Sequence, residues 1–288
     1  DELHEKARAS GVRIVPFCGY DSIPSDLGFW WVAREWKKSQ PNEALASVTA
    51  LFQARGGFNG GTLASAMNMA ATGDFRKIQE DPQLLTPSGV TAPPVRADWK
   101  APRRVPELGL WGAPFFMAPI NTRVVRRSQA LASASQELAP SSDYTRAVYE
   151  EGLGFRSLAP ALGISAVETV VESLPRPRGF VEWLSSKIPQ PGTGPSEESQ
   201  TSGFTRVLYL ARGERGSEWK GELFFHGDPG NRFTVRALSE SALCLAIESE
   251  RARLPKNSGV LTPSTAFGEV LLARLRENGV RMEALSPA

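Results

Sequence analysis

The hydrophobic and polar positions of the chain follow two periods, which predicts a mixture of helices and strands. Some segments repeat apolar residues at helical spacing, and others alternate with the period of a strand. The predicted strands are residues 12–17, 45–53, 204–212 and 219–226. The predicted helices are residues 2–9, 27–36, 62–71, 123–138, 143–174, 180–187, 234–250 and 264–278.

The run at 204–226 decides the expected architecture. Its connection at 213–217 is too short for a parallel crossover, so the two strands form an antiparallel hairpin. We predict an α+β fold with a mostly antiparallel sheet that includes residues 45–53. Helices with a single apolar stripe are expected to cover one face of this sheet and to leave the other face free for a partner. For the helix at 234–250 the predicted inner face is Leu238, Ala242, Leu245 and Ala246.

Residues 14–28 form the most distinctive stretch. An apolar run ends at Gly19, two prolines frame a polar Asp-Ser turn, and Ser25 and Asp26 stand where N-cap residues are expected. This strand, loop and helix start directs backbone N–H groups and carboxylates toward a ligand above the strand end. The candidate proton donors here are Tyr20, Asp21, Ser22 and Asp26, although Asp26 fits an N-cap better than an acid.

Composition excludes several classes of protein. The 288 residues are 41% hydrophobic and carry a net charge of +2, which does not indicate nucleic-acid binding. No apolar run is long enough to span a bilayer, and the first residues do not match the h-region of a signal peptide. The chain opens in a helical pattern without Met, so we expect it to be cut from a longer, cytoplasmic protein.

Metal and hydrolase chemistry are poorly supported. The cysteines and histidines are too scattered for a ligand set, and no serine elbow accompanies a histidine. Cys18 and Cys244 are expected to be buried free thiols. The cysteines and histidines considered as metal ligands are Cys18, Cys244, His4 and His226.

The chain lacks the glycine-rich turn of a dinucleotide site. Its dense glycine cluster at 56–61 has the wrong spacing for Gly-x-Gly-x-x-Gly and does not lie in a strand–helix unit. This loop either binds an anionic or amide group through its backbone N–H groups or is a glycine-rich hairpin. The proline-rich segment at 81–110 is expected to be a long loop.

Two further groups are candidates for binding. Phe115, Phe116 and Met117 form either an acyl-facing wall or part of the core. Arg123 and Arg127 share a helix face, where they either clamp a carboxylate, a cofactor phosphate or a phosphopantetheine, or form salt bridges at a domain interface.

Motifs along nearly the whole chain resemble those of the saccharopine dehydrogenase-like oxidoreductases, which include the mycobacterial trans-acting enoyl reductases. The first is Cys-Gly-Tyr-Asp-Ser-Ile-Pro-Ser-Asp-Leu-Gly at 18–28, where Tyr20 replaces the usual Phe. The others are Pro114 to Leu131, Pro-Gly-x-Gly-Pro-Ser at 191–196, and Gly259 to Gly268, where Ser264 replaces Ala. A Gly-Gly-Thr of the family matches Gly60, Gly61 and Thr62.

The resemblance implies an α/β protein overall, with an N-terminal Rossmann domain that binds NAD(P) and a substrate domain. On this basis we expect residues 1–19 to be a remnant of the Rossmann sheet, so that residues 12–17 do not join the antiparallel sheet. Residues 20–257 would be a substrate and dimerisation domain, and residues 258–288 would pack back toward the Rossmann side. This chain alone is then expected to be inactive and to bind no dinucleotide tightly.

The resemblance also assigns roles to residues. Tyr20, Asp21 and Ser22 are the catalytic candidates, although the usual Phe at position 20 implies that the hydroxyl is dispensable. Cys18 and Gly19 border the cofactor. The substrate candidates are Gly60, Gly61, Thr62, Phe116, Met117, Asn121, Arg123 and Arg127.

The expected function is reduction of an apolar acyl or polyketide-type acceptor by an NAD(P)-dependent oxidoreductase of lipid metabolism. The alternative is a non-catalytic, lipid-associated or scaffolding relative. The expected partners are a small-molecule or acyl-chain substrate, a second copy in a homodimer and a peripheral lipid contact, and no nucleic acid.

Overall fold

The computed structural model describes residues 2–56, 72–173 and 192–285, together with Ser65, Asn68 and Met69. The predicted helix at 180–187 and most of that at 62–71 lie outside the described residues.

The main sheet has seven strands in the order β3-β4-β5-β2-β6-β7-β9. Every neighbouring pair is antiparallel except β2 and β5, which are parallel. The strands are β2 (Leu45–Arg55), β3 (Arg103–Val105), β4 (Leu110–Ala113), β5 (Val148–Phe155), β6 (Phe204–Gly213), β7 (Glu218–His226) and β9 (Arg281–Ala284). The predicted α+β class, the hairpin and the place of the strand at 45–53 beside it are confirmed.

Nine helices are described. The longest are α2, α4, α5 and α9, and α6 and α8 each span a single turn or little more. They are α1 (Glu2–Ala9), α2 (Ile23–Ser39), α3 (Asp74–Glu80), α4 (Ala118–Ala134), α5 (Leu158–Ser173), α6 (Glu197–Thr201), α7 (Thr234–Ala246), α8 (Glu248–Arg251) and α9 (Pro263–Glu277). Short 3-10 helices at Pro106–Leu108 and Gln136–Leu138 and a π-helix at Pro229–Phe233 complete the described set.

The larger core lies between the sheet and helices α2, α4 and α9. Trp31 of α2 packs edge-on against Tyr209 of β6 and Trp219 of β7, with ring centroids 5.9 and 5.4 Å apart. Alternate residues of the central strands face this side, as their period of two requires. Burial of these large aromatic rings fixes α2 across the centre of the sheet.

The opposite face of the sheet is not free, contrary to the prediction. Trp99 and Val105 pack there against Leu51, Leu208 and Leu210. The reason is that the proline-rich segment at 81–110 does not stay in solvent but returns to the sheet and contributes β3 and β4.

Residues 12–17 stay outside the main sheet, as predicted. Only Arg13–Ile14 is a strand, β1, and it pairs in parallel with β8 (Gly259–Val260). The expected strand is shorter because Pro16 cannot donate to a ladder and Phe17 has a positive φ of 66°.

The expectation of helix throughout 143–174 is wrong, because β5 occupies its first half. Two glycines explain why this segment joins the sheet: a Cβ on Gly152 would lie 2.8 Å from the Trp99 ring, and one on Gly154 would lie 3.2 Å from Leu51. The glycines let neighbouring side chains approach the strand closely. The prediction of a helix here used only the hydrophobic pattern and did not include this close approach.

The predicted inner face of the helix at 234–250 is also wrong. Helix α7 buries Ala237, Glu240, Ser241 and Cys244, whereas Leu238 is 55% exposed. The helix packs against α9, where Arg274 donates to Glu240 at 2.7 Å. This ion pair lets a charged residue face inward, which hydrophobic periodicity cannot predict.

Candidate functional site

The loop that leads into α2 is held by contacts within the chain. The Cys18 thiol donates to the carbonyl of Val15 at 3.3 Å, and the Tyr20 N–H donates to Thr234 Oγ1 at 3.1 Å. A Cβ on Gly19 would lie 3.1 Å from Thr234 Cγ2, so this backbone is closely packed against the start of α7. The predicted cofactor residues Cys18 and Gly19 therefore serve to fix the loop. Burial raises the pKa of Cys18 to about 11.

Helix α2 begins earlier than the sequence predicts. Its N-cap position is Ser22, and Pro24 lies in the first turn, where the missing N–H of proline costs nothing. Ser25 and Asp26 are therefore inside the helix and fully buried, so the N-cap prediction is wrong. Their side chains are free to bond residues that are distant in sequence.

Asp26 joins three of the motifs that are far apart in sequence. Its carboxylate accepts hydrogen bonds from the Ser264 N–H and hydroxyl, both at 2.8 Å, and from the Ser128 hydroxyl. Burial raises its pKa to about 6, although these bonds oppose the rise. Since Asp26 has no exposed surface, we assign it the role of joining α2, α4 and the start of α9.

A second buried carboxylate, Glu151 on β5, lies beneath the loop. It accepts hydrogen bonds from Ser25 Oγ at 2.6 Å, Tyr149 Oη at 2.7 Å and Asn121 Nδ2 at 2.8 Å. Asn121 in turn accepts from the Ser22 hydroxyl at 3.1 Å. Among the described residues no cation pairs with Glu151, and burial raises its pKa to about 7. A buried carboxyl that titrates near neutrality is typical of a functional site.

Sequence reasoning missed Glu151 because it placed this residue at the start of a helix. Its neighbour Glu150 points to the opposite face, where it accepts from Thr49, Trp99 and Arg103 at 2.9, 3.2 and 2.9 Å. These partners lower the pKa of Glu150 despite its burial. Adjacent side chains of a strand point to opposite faces of the sheet. The adjacent pair Glu150 and Glu151 in a β-prone run is therefore the signal that could have identified a strand with a polar group on each face.

A series of aromatic contacts leads from Tyr20, through the buried rings of Phe52 and Phe115, to Phe116 at the outside of the molecule. The Tyr20 ring lies edge-on to Phe52, with centroids 6.2 Å apart, and Phe52 contacts Phe115 at 4.9 Å. Phe115 meets Phe116 at 5.5 Å, and Phe116 is 41% exposed. The half-buried Met117 follows it. The structure thus brings the predicted catalytic loop to the predicted apolar wall.

The loop itself carries two groups with perturbed protonation. Burial, with the charges of Glu151 and Asp21 as smaller causes, raises the pKa of Tyr20 above its usual range. Asp21 is exposed at the tip of the loop, yet the surrounding protein desolvates its carboxyl and raises its pKa. Both side chains therefore hold a proton more firmly than in water, and in the protonated form each can donate a hydrogen bond.

The two predicted substrate arginines have other bonding partners. Arg123 bonds Asp98 at 2.6 Å and the carbonyl of Gln79 at 3.2 Å. Arg127 donates to the carbonyls of Leu85 at 2.8 Å and Val260 at 2.7 Å. These bonds tie the segment at 79–98, and also β8, to α4. The sequence left two roles open for these arginines, a clamp for an anionic ligand or structural salt bridges. The observed bonds are closer to the structural role.

Other predicted sites are not described or not formed. Gly60, Gly61 and Thr62 lie outside the described residues. Within the described ranges no group of three or more His, Cys, Asp or Glu side chains is placed to hold a metal ion. The helices that the structure describes are all too short or too polar to cross a membrane.

The fold and this site are those of an α+β protein with a polar loop facing an aromatic surface, and comparison with known proteins identifies its family. Three curated proteins named as trans-acting enoyl reductases are similar over nearly the whole chain. Those of Mycobacterium tuberculosis and Mycobacterium bovis are 33% identical over 300 residues, covering 98% of this chain and 69% of theirs. That of Mycobacterium ulcerans is 32% identical over 302 residues, covering 99% and 70%.

The chain therefore belongs to the trans-acting enoyl reductase family and is related to oxidoreductases. It spans about 70% of the length of these relatives. No family model matches the chain, and no solved structure matches it either. The enoyl reductase part of the predicted resemblance is confirmed.

Proposed function

We propose that this chain forms the acceptor-binding part of an NAD(P)-dependent reductase that saturates the enoyl group of an apolar acyl or polyketide-type acceptor. The observation that carries the proposal is the series of aromatic contacts that joins a polar loop to an exposed apolar side chain. Tyr20 and Asp21 lie at one end of a series of ring contacts whose other end, Phe116, is exposed. A conjugated acyl group has the same two parts, a polar carbonyl and an apolar chain.

The side chains of the loop suit this reaction. Saturation of an enoyl group adds a hydride, which NAD(P)H would supply, at the carbon farther from the carbonyl and a proton at the nearer one, and it places negative charge on the acyl oxygen. Burial raises the pKa of Asp21, and its protonated carboxyl would donate a hydrogen bond to that oxygen, while solvent would supply the proton at the carbon. The Tyr20 ring forms the wall beside the carbonyl. Ser22 and Asn121 are buried and position the loop above Glu151.

The described residues do not fit the phosphates of a dinucleotide at the place expected for them. Cys18 is buried and bonded to Val15, and Gly19 is packed against Thr234. No glycine-rich phosphate turn exists in the sequence. We therefore assign no reaction step to the dinucleotide at this loop and expect no tight binding of NAD(P)H there.

The test is acceptor affinity, measured by calorimetry with phosphate-free thioesters. A 2-enoyl N-acetylcysteamine thioester and its saturated counterpart are titrated into the wild type, Phe116→Ser and the control Leu3→Ser, whose side chain is exposed on α1. We expect the enoyl compound to bind more tightly than the saturated one, and Phe116→Ser to weaken both about tenfold because apolar contact is lost. Leu3→Ser should bind as the wild type does.

Two outcomes contradict the proposal. Equal affinity for the enoyl and saturated compounds would favour the alternative, a lipid-associated protein without catalysis. Equal effects of Phe116→Ser and Leu3→Ser would place the acceptor elsewhere on the molecule.

A further inference from the structure

A groove of about 810 Å³ opens beside the loop, on the other side of the segment at 233–236. It lies between the end of β7, the π-helix, the first turns of α7 and the C-terminal end of α9. Its polar lining includes His226, Asn231, Arg232, Arg236 and Asn278. The described residues that line it include no aspartate or glutamate.

Both arginines of this groove keep their charge available. Arg232 approaches only the largely exposed Glu197, at 3.5 Å. Arg236 lies 3.5 Å from the Asn278 side-chain oxygen and 3.8 Å from Glu240, but Glu240 is bonded more closely by Arg274. Long ion pairs at the surface contribute little. A guanidinium group has five N–H donors and these long contacts use few of them, so both groups, four positions apart, can still donate to a ligand in the opening.

The groove adjoins the proposed acceptor site. Its lining residue Phe225 contacts Phe233 with ring centroids 5.5 Å apart, and Phe233 lies 6.0 Å from Tyr20. Thr234, whose hydroxyl accepts from the Tyr20 N–H, precedes the groove residues Val235 and Arg236. A ligand bound in the groove is thus one helix turn from the loop.

We propose that this groove binds the phosphate ester of a ligand whose reactive end lies at the Tyr20–Asp21 loop. The inference rests on the proposed function, which requires a partner or substrate to reach that loop. Guanidinium groups recognise phosphate through paired, charge-assisted hydrogen bonds. The phosphate belongs either to a phosphopantetheine arm that carries the acyl thioester or to the nicotinamide dinucleotide. Arg232 and Arg236 thereby take the role that the sequence suggested for Arg123 and Arg127.

The experiment compares ligands with and without the phosphate. 4′-Phosphopantetheine, pantetheine and NADPH are titrated by calorimetry into the wild type and into the double variant Arg232→Gln with Arg236→Gln. A second double variant, Arg76→Gln with Arg146→Gln, removes the same charge from exposed positions outside the groove. Circular dichroism confirms that each variant is folded.

We expect 4′-phosphopantetheine to bind the wild type at least tenfold more tightly than pantetheine, and the groove variant to lose this difference. The control variant should keep it, and added salt should reduce it. Loss of NADPH affinity instead would assign the phosphate to the dinucleotide. Unchanged affinity of the groove variant for both phosphate ligands would overturn the proposal. Failure of the thioester titration would contradict the proposed function but not this groove, because the thioesters carry no phosphate.

Discussion

Replacing Glu151 by Gln tests whether burial disfavours the ionised form of the carboxyl under the loop. Burial raises its pKa from 4.5 to about 7, so the folded protein holds its proton more tightly than the unfolded chain. A rise of this size corresponds to about 3 kcal/mol, because each pKa unit is worth about 1.4 kcal/mol. The stabilisation is complete below pH 4.5 and is lost as the pH rises to about 7.

Gln cannot ionise, and its amide can satisfy the positions that Ser25, Tyr149 and Asn121 bond. The free energy of unfolding of Glu151→Gln minus that of the wild type should therefore increase by about 3 kcal/mol between pH 4.5 and pH 7.5. Urea unfolding followed by tryptophan fluorescence at several pH values measures this difference. It cancels the titration of Asp26, which both proteins share.

Glu150→Gln is the matched control from the same strand. Because partners lower the pKa of Glu150, its carboxylate stabilises the fold above its unfolded pKa of 4.5 and loses this effect as the pH falls. The difference between Glu150→Gln and the wild type should therefore decrease as the pH rises. A Glu151→Gln difference that stays constant with pH, or that follows the sign of Glu150→Gln, would refute the reasoning.

Three further predictions concern the loop and its supports. In a binding assay with the enoyl thioester, Tyr20→Phe should keep the wild-type affinity and Tyr20→Ala should lose about tenfold, since the ring forms the wall; equal losses would show that the hydroxyl matters. Arg123→Met should destabilise the fold by about 3 kcal/mol, because it leaves the carboxylate of Asp98 unpaired. It should also speed proteolysis within residues 79–98. An unchanged denaturation curve and an unchanged cleavage rate would contradict this. Cys18, buried and with its pKa raised to about 11, should resist alkylation at pH 8 in the native protein and react in urea; rapid native labelling counts against the packed loop.

Local patterns predicted the hairpin and the helix after the loop. Each depends on a short-range feature, a turn too short for a crossover or a helix start signal. The separation of residues 12–17 from the sheet was instead predicted from the family resemblance. The sequence did not indicate that Phe52 and Phe115 connect Tyr20 to Phe116, because these residues lie in segments far apart in the chain.

The positions that failed depend on partners distant in sequence. From the sequence Asp26 resembles an N-cap. In the structure its hydrogen bonds come from Ser264, which lies 238 residues later in the chain. Glu240 faces inward because Arg274 pairs with it, and Glu150 and Glu151 differ because β5 lies between a cationic and an uncharged environment. Periodicity reports which residues are apolar, and it contains no information about which polar residue will find a partner.

The central claim is that the Tyr20–Asp21 loop binds and polarises the carbonyl of an enoyl group. The ultraviolet absorption of a 2-enoyl thioester shifts to longer wavelength when its carbonyl accepts a strong hydrogen bond. We predict such a shift when the thioester binds the wild type or the control Asp74→Ala. Asp21→Ala should bind the thioester without the shift. A bound thioester with an unshifted spectrum in the wild type, or an equal shift in Asp21→Ala, would contradict the account.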